Sequence, residues 1–292
     1  MSCWKLGQAE CTSANFCSFI SRLANLATLC AIAFVGWGSE ISLAQVSDAE
    51  KASYADALAY CRGDVARPMS LRTDRRVLCQ DGWIFPGQDV SLANDLEQGG
   101  YFVVRNYGGE VAATIALASM LGDKHATVIV YDYCLGTCAN YLLIASAETF
   151  VPKDALVAWT YVRGPNDCVG FSETPDQGAP RLYVGPCTDP RLEGRGSSSF
   201  ELIDLKDKFY KERIFAPPYL EPPESLTIRR ILKRKYDATG SYPGDVFWTW
   251  NPRFYASALK TKVLYEAYPQ SQEEVDAIVA RIHLPYSVIY DP

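Results

Sequence analysis

The chain has 292 residues, 48% of them hydrophobic and 21% charged, a globular composition long enough for one large domain or two small ones. Its net charge of −6 and pI near 5.1 remove any chain-wide attraction to nucleic acid or anionic lipid, whose recognition leans on positive patches. Neither partner is expected.

Residues 23–38, LANLATLCAIAFVGWG, form an apolar run preceded by Lys5 and Arg22 and followed by Ser42, Leu43 and Ala44. A charged start, an apolar centre and small residues at −3 and −1 predict a secretory signal peptide over residues 1–44, cleaved after Ala44. The run falls short of the ~20 residues a spanning helix needs, so an uncleaved anchor is the second reading. The mature protein is then expected in the periplasm or outside the cell, without a stable membrane span.

After the leader, VSDAEKASYADALAYC has the pattern of a helix, the main element of an N-terminal helical segment over 45–74. RRVLCQDGWIFPG carries a short strand ending at Pro86-Gly87, and QDVSLANDLEQGG reads as a helix closed by glycines. YFVVRNYGG is a buried strand running into a glycine pair, and EVAATIALASMLGD is an alanine-rich helix ending at Gly122. HATVIVYDY is the next strand, CLGTCANYLLIAS the next helix, and TFVPKDALVAWTYV one or two further strands. Strands alternating with helices at this spacing predict an α/β core over 75–162 with parallel pairing.

Residues 163–199 break the rhythm with Gly, Pro, Ser and Asp throughout and read as a loop excursion. Residues 200–292 read as a mainly helical C-terminal section: FELIDLKDKFYKERIF, PESLTIRRILKRKYDA, PRFYASALKTKVLYEAY and SQEEVDAIVARIH, the last with a start like a capping box.

Of the ten cysteines, Cys3, Cys11, Cys17 and Cys30 fall in the leader. The other six form neighbouring pairs by sequence: Cys61 with Cys79, Cys134 with Cys138, and Cys168 with Cys187. In an exported protein an even set predicts disulfides, although six cysteines allow fifteen pairings. The last pair would staple the excursion. Cys134 and Cys138 lie close enough in sequence to staple the turn between them. A zinc site would need three or four ligands at suitable spacing, so neither a metal nor a cofactor is expected.

Gly108 and Gly109 stand where a buried strand leaves the sheet, which lets backbone approach a ligand and leaves N–H groups for an oxyanion. A plain strand-to-helix turn is the simpler reading of the pair. The CLGTC turn, with Gly136, follows the next strand, so both turns should lie at the sheet's carboxyl edge, where ligand crevices form.

The succession of strand, NYGGEVAATIALASML, strand, YCLGTCANYLLIAS, strand and VPKDALVAWT resembles the Clp protease and crotonase superfamily, in particular its exported members. The resemblance covers about residues 75–162, and the WTWNPRFY tail is similar to the C-terminal part of the same group. It implies a spiral of ββα units with a helical C-terminal section, a first turn that supplies an oxyanion hole, and a serine nucleophile at the second. Gly108 and Gly109 match the family's glycine pair, with Asn106 and Tyr107 in place of Ser-Pro. The serine position falls on Thr137 or on Gly136, according to the alignment chosen. The histidine position falls on Thr160, and the chain's only histidines are His125 and His283.

A threonine hydroxyl needs a base to become a nucleophile. Lys153 and Asp154 are nearest in sequence. The resemblance with these departures implies a degenerate, non-catalytic binding or structural protein that holds a peptide, acyl or carboxylate group through amides around Gly109, Gly136 and Cys138. The alternative is a peptidase or acyl hydrolase built on Thr137 and another base. Self-association is compatible with either. The basic run IRRILKRK reads as a solvated helix face, and Phe247, Trp248, Trp250, Phe254 and Tyr255 read as core or subunit packing.

Overall fold

Three apolar strands whose side chains alternate between two covered faces form the centre of the protein. The computed structural model describes residues 46–160, 167–172, 181–186, 199–215, 230, 234, 238 and 247–292. The leader and the Cys168 to Cys187 pairing therefore lie outside the described residues. Strands β1 (Met69–Leu71), β2 (Val77–Asp81), β3 (Tyr101–Asn106), β4 (Thr127–Leu135) and β5 (Glu148–Val151) stand side by side in that order. β1 is antiparallel to β2, and all later neighbours are parallel. β6 (Leu156–Ala158) pairs with the far end of β4.

Successive strand residues point to opposite faces. Val77, Cys79, Val103 and Ile129 meet Tyr54, Ala57, Leu58 and Cys61 of helix α1 (Asp48–Arg62), whose spacing lines one helical face. Leu78, Phe102, Val104, Val128 and Val130 pack on the other side against Ile115, Leu117, Ala118 and Leu121 of α2 (Val111–Asp123). The structure adds a capping box at the start of α1: Ser47 accepts from the Glu50 amide, and the Glu50 carboxylate accepts from the Ser47 amide. The Tyr54 hydroxyl ties α1 across the sheet to Glu148 at 2.8 Å.

The chain is thus α/β with a mostly parallel central sheet, as the alternating pattern predicts. Several elements differ from expectation. QDVSLANDLEQGG holds only a 3-10 turn, Ser91–Asp95, and CLGTCANYLLIAS only a short π-helical segment, Cys138–Leu142. The Leu143 amide reaches five residues back to the Cys138 carbonyl, and the Thr149 and Thr261 hydroxyls take up the Leu143 and Ser146 carbonyls that a longer helix would have satisfied. Residues 163–199 contain strands β7 (Asp167–Ser172) and β8 (Arg181–Pro186), paired antiparallel as a separate two-stranded sheet.

The C-terminal section is less helical than expected. Helices α3 (Ser199–Arg213) and α5 (Gln272–Arg281) form as read, the latter capped by Ser271. Strand β9 (Phe247–Trp248) and the short helix α4 (Tyr255–Ala258) precede β10 (Lys262–Tyr265), which joins the central sheet beside β5. β11 (Val288–Ile289) pairs with β9. Phe247, Trp248 and Tyr255 are buried, so these members of the aromatic cluster are core. Arg230 and Arg234 of the basic run are helical and exposed, and its other residues lie outside the described set.

No helix among the described residues is long and apolar enough to cross a membrane. Disulfides join Cys61 to Cys79 and Cys134 to Cys138, with Cα separations of 5.6 and 5.2 Å. The first pins the end of α1 to the middle of β2. Replacing Cys61 and Cys79 together with alanine should lower the unfolding free energy by about 3 kcal/mol, as expected for closing a loop of this length. Urea unfolding of the two proteins measures the difference, and equal midpoints would contradict it.

Candidate functional site

Both glycine-bearing turns leave the carboxyl edge of the sheet, from adjacent strands β3 and β4. Asn106, fully buried at the end of β3, sets the first turn. Its amide donates to the Gly82 carbonyl, and its side-chain oxygen accepts from the Gly108 amide. Gly108 has φ +115°, a region that side chains rarely adopt. Gly109 then pairs with Ile84: the Ile84 amide donates to the Gly108 carbonyl at 3.3 Å, and the Glu110 amide to the Ile84 carbonyl at 2.8 Å. A Cβ on Gly109 would sit 2.7 Å from both the amide nitrogen and Cβ of Ile84. Strand packing alone therefore requires this glycine.

The second turn is delivered by β4. The Gly136 amide donates to the Ala158 carbonyl at 3.0 Å, and the Cys134–Cys138 disulfide brackets the turn from both sides. The two turns touch. A Cβ on Gly108 would lie 2.9 Å from the Thr137 hydroxyl oxygen and 3.3 Å from the Thr137 amide nitrogen. The Thr137 hydroxyl donates to the Gly109 carbonyl at 3.4 Å. The structure thus brings Gly108, Gly109, Gly136, Thr137 and Cys138 into one cluster. Thr160 is there as well, its methyl 3.4 Å from where a Gly136 Cβ would stand. Trp159 does not fill the cluster; it is core, packed against Trp250 and Tyr255.

The bases considered from sequence are elsewhere. Lys153 and Asp154 are exposed in the turn before β6, next to Glu266 and Arg281, whereas Thr137 lies near that strand's far end. His125 is exposed before β4, at the opposite edge of the sheet, and His283 follows α5. Tyr107 and Tyr133 stack beside the first turn with ring centroids 4.5 Å apart. Burial, and then the neighbouring Tyr107 hydroxyl, push the Tyr133 hydroxyl well above the ordinary tyrosine range, which makes it unfit to accept a proton at neutral pH.

The electrostatics also differ from a simple anion hole. The Glu110 carboxylate caps α2, accepting from the Ala112 and Ala113 amides at 3.0 and 2.6 Å. The positive end of this helix is already occupied by the protein's own carboxylate. The Gly109 amide has no acceptor among the described residues, and the Cys138 amide opens the π segment, where a backbone donor has no partner within the helix, so donors for a neutral carbonyl remain. Phe85, four residues past β2 and beside the Ile84–Gly109 bridge, is 51% exposed and gives this edge an apolar contact surface. Asn106 is the positioning residue that the sequence reading missed. Its signal was a polar residue ending an apolar strand immediately before the glycine turn.

Comparison with known proteins finds no family model that matches the chain and no match among the curated proteins.

The contact between the turns is testable by a double-mutant cycle. Gly108→Ala should cost about 1–3 kcal/mol through its backbone conformation and the clash with Thr137. Thr137→Ala removes the closest atom, so the pair should be less than additive by ~0.5 kcal/mol or more in denaturant melts. Strict additivity would mean the turns do not press on each other.

Proposed function

We propose that this is an exported Clp/crotonase-like protein with a degenerate site, which binds a neutral carbonyl, such as that of a peptide, without catalysing its cleavage. The observation that carries the reading is the disposition of Thr137. Its hydroxyl is packed against Gly108 and directed to the Gly109 carbonyl, with Thr160 in the position of the family's histidine. A hydroxyl that donates to backbone and faces no base among the described residues is a structural pin rather than a nucleophile. Two glycine turns meeting at the carboxyl edge of a parallel sheet support the superfamily likeness, and the Gly109 and Cys138 amides support carbonyl binding. The Glu110 carboxylate favours a neutral group over a free carboxylate. Two buried disulfides support an oxidising compartment.

Backbone amide shifts observed during titration test the binding reading. A capped neutral peptide should move the Gly109 and Cys138 signals, whereas acetate at equal concentration should leave them in place. A fluorophosphonate probe should leave Thr137 unlabelled; labelling that disappears in Thr137→Ala would instead establish the hydrolase alternative. Alkylation of protein taken from the periplasm should find Cys61, Cys79, Cys134 and Cys138 blocked until reductant is added under denaturing conditions. Free thiols at these four positions would count against export.

A further inference from the structure

The opposite face of the same sheet edge carries a second group of polar residues. Asp81, Arg105 and Tyr131 lie two residues beyond Cys79, Val103 and Ile129, and so continue the row that α1 covers. The register sets Asp81 opposite Arg105, and Tyr131 follows the Val104 to Val130 pair by one step. Arg105 is fully committed. Its Nε and Nη2 hold both oxygens of Asp81 at 2.7 and 2.5 Å, and its Nη1 reaches the Tyr131 hydroxyl at 3.3 Å and Asp132 at 3.4 Å.

Two more guanidinium groups join this row. Arg67 contacts the Asp81 oxygen that already takes Arg105, and its other terminal nitrogen donates to the Cys61 carbonyl at 3.4 Å. Arg62 lies 5.1 Å from the centre of the Tyr131 ring, which Arg105 approaches at 4.7 Å. Arg62 has no carboxylate partner among the described residues. Three guanidinium groups therefore gather beside two carboxylates, only Arg67 and Arg105 pairing with them, in a chain whose net charge is −6. The inner pair is shielded, the side chains of Asp81 and Arg105 being 13% and 28% exposed, while Arg67 is 38% exposed. Asp132 takes φ +59°, costly for a residue with a side chain, and its carboxylate there secures Arg105.

We infer that this face binds a small-molecule oxyanion, a phosphate or a carboxylate, through the exposed guanidinium groups of Arg62 and Arg67 beside Tyr131. Gathering like charges costs energy unless an anion offsets it, and guanidinium groups hold such anions by paired, charge-assisted hydrogen bonds. Asp81 and Asp132 hold Arg105 inward, while Arg62 and the solvent-facing side of Arg67, itself anchored by Asp81, stay open to the ligand. The inference is independent of the Gly108–Thr137 cluster, because Arg105 and Asn106 point to opposite faces.

Calorimetric titration of the disulfide-bonded protein with sodium phosphate and with sodium citrate, each against chloride at matched ionic strength, tests it. Saturable binding of either anion is expected, and the tighter one identifies the group preferred. Arg62→Gln and Arg67→Gln should each weaken it by roughly tenfold or more. Arg76→Gln, at the opposite edge of the sheet, should leave it unchanged. If Arg67→Gln lowers the melting temperature too far for titration, Arg62→Gln decides, since that exposed side chain has no ion pair among the described residues to lose. Absence of saturable binding by both anions, or equal effects of Arg62→Gln and Arg76→Gln, overturns the inference.

Discussion

The irregularity in β4 around Asp132 governs the rest of the architecture. On β3 the partners advance by two residues, from Val104 to Asn106, while on β4 they advance by four, from Val130 to Cys134. Before this point β4 lies against β5, and beyond it against β6. The extra residues redirect the strand, as bulges do. They deliver Leu135 beside Ala158, Gly136 onto the Ala158 carbonyl and Thr137 onto Gly108. A regular β4 would continue along β5, and the two glycine turns would not meet.

Their meeting separates geometry from reactivity. The turns depend on features of the backbone: a positive φ at Gly108, the lack of a Cβ at Gly109 and a disulfide around Gly136. Proton transfer depends on a side chain of suitable basicity within reach, and Thr160 has none to offer. Packing against Ile84 and Thr137 therefore constrains the glycines whatever side chains surround the turns.

Local signals in the sequence were read well where local physics decides. The apolar runs of YFVVRN and HATVIVYDY, the helical pattern of α1 and the Ser271 cap of α5 each depend on neighbours a few residues away. Partnership at long range was hidden. KVLY looks like the end of a helix from PRFYASAL onward, yet pairing with Glu148–Val151, more than a hundred residues earlier in the chain, makes it a strand. The π segment was unreadable because Thr149 and Thr261, not a local cap, complete its last carbonyls. At the candidate site the glycines and Thr137 were legible as turn residues. Asp81, Arg105 and Tyr131 were not legible as a group, since only strand register brings them into one row.

Glu110 has a consequence for whatever visits the glycine turn. A carboxylate arriving at the start of α2 must displace one that is covalently tethered there and already bonded to two amides. The tether gives the resident group a high effective concentration, of the kind that short linkers confer in the millimolar range. The protein thus carries a permanent competitor against one class of ligand, and the proposed neutral carbonyl at the Gly109 and Cys138 amides would not have to displace it. Discrimination at this edge would come from what is already bound, not from the shape of a pocket.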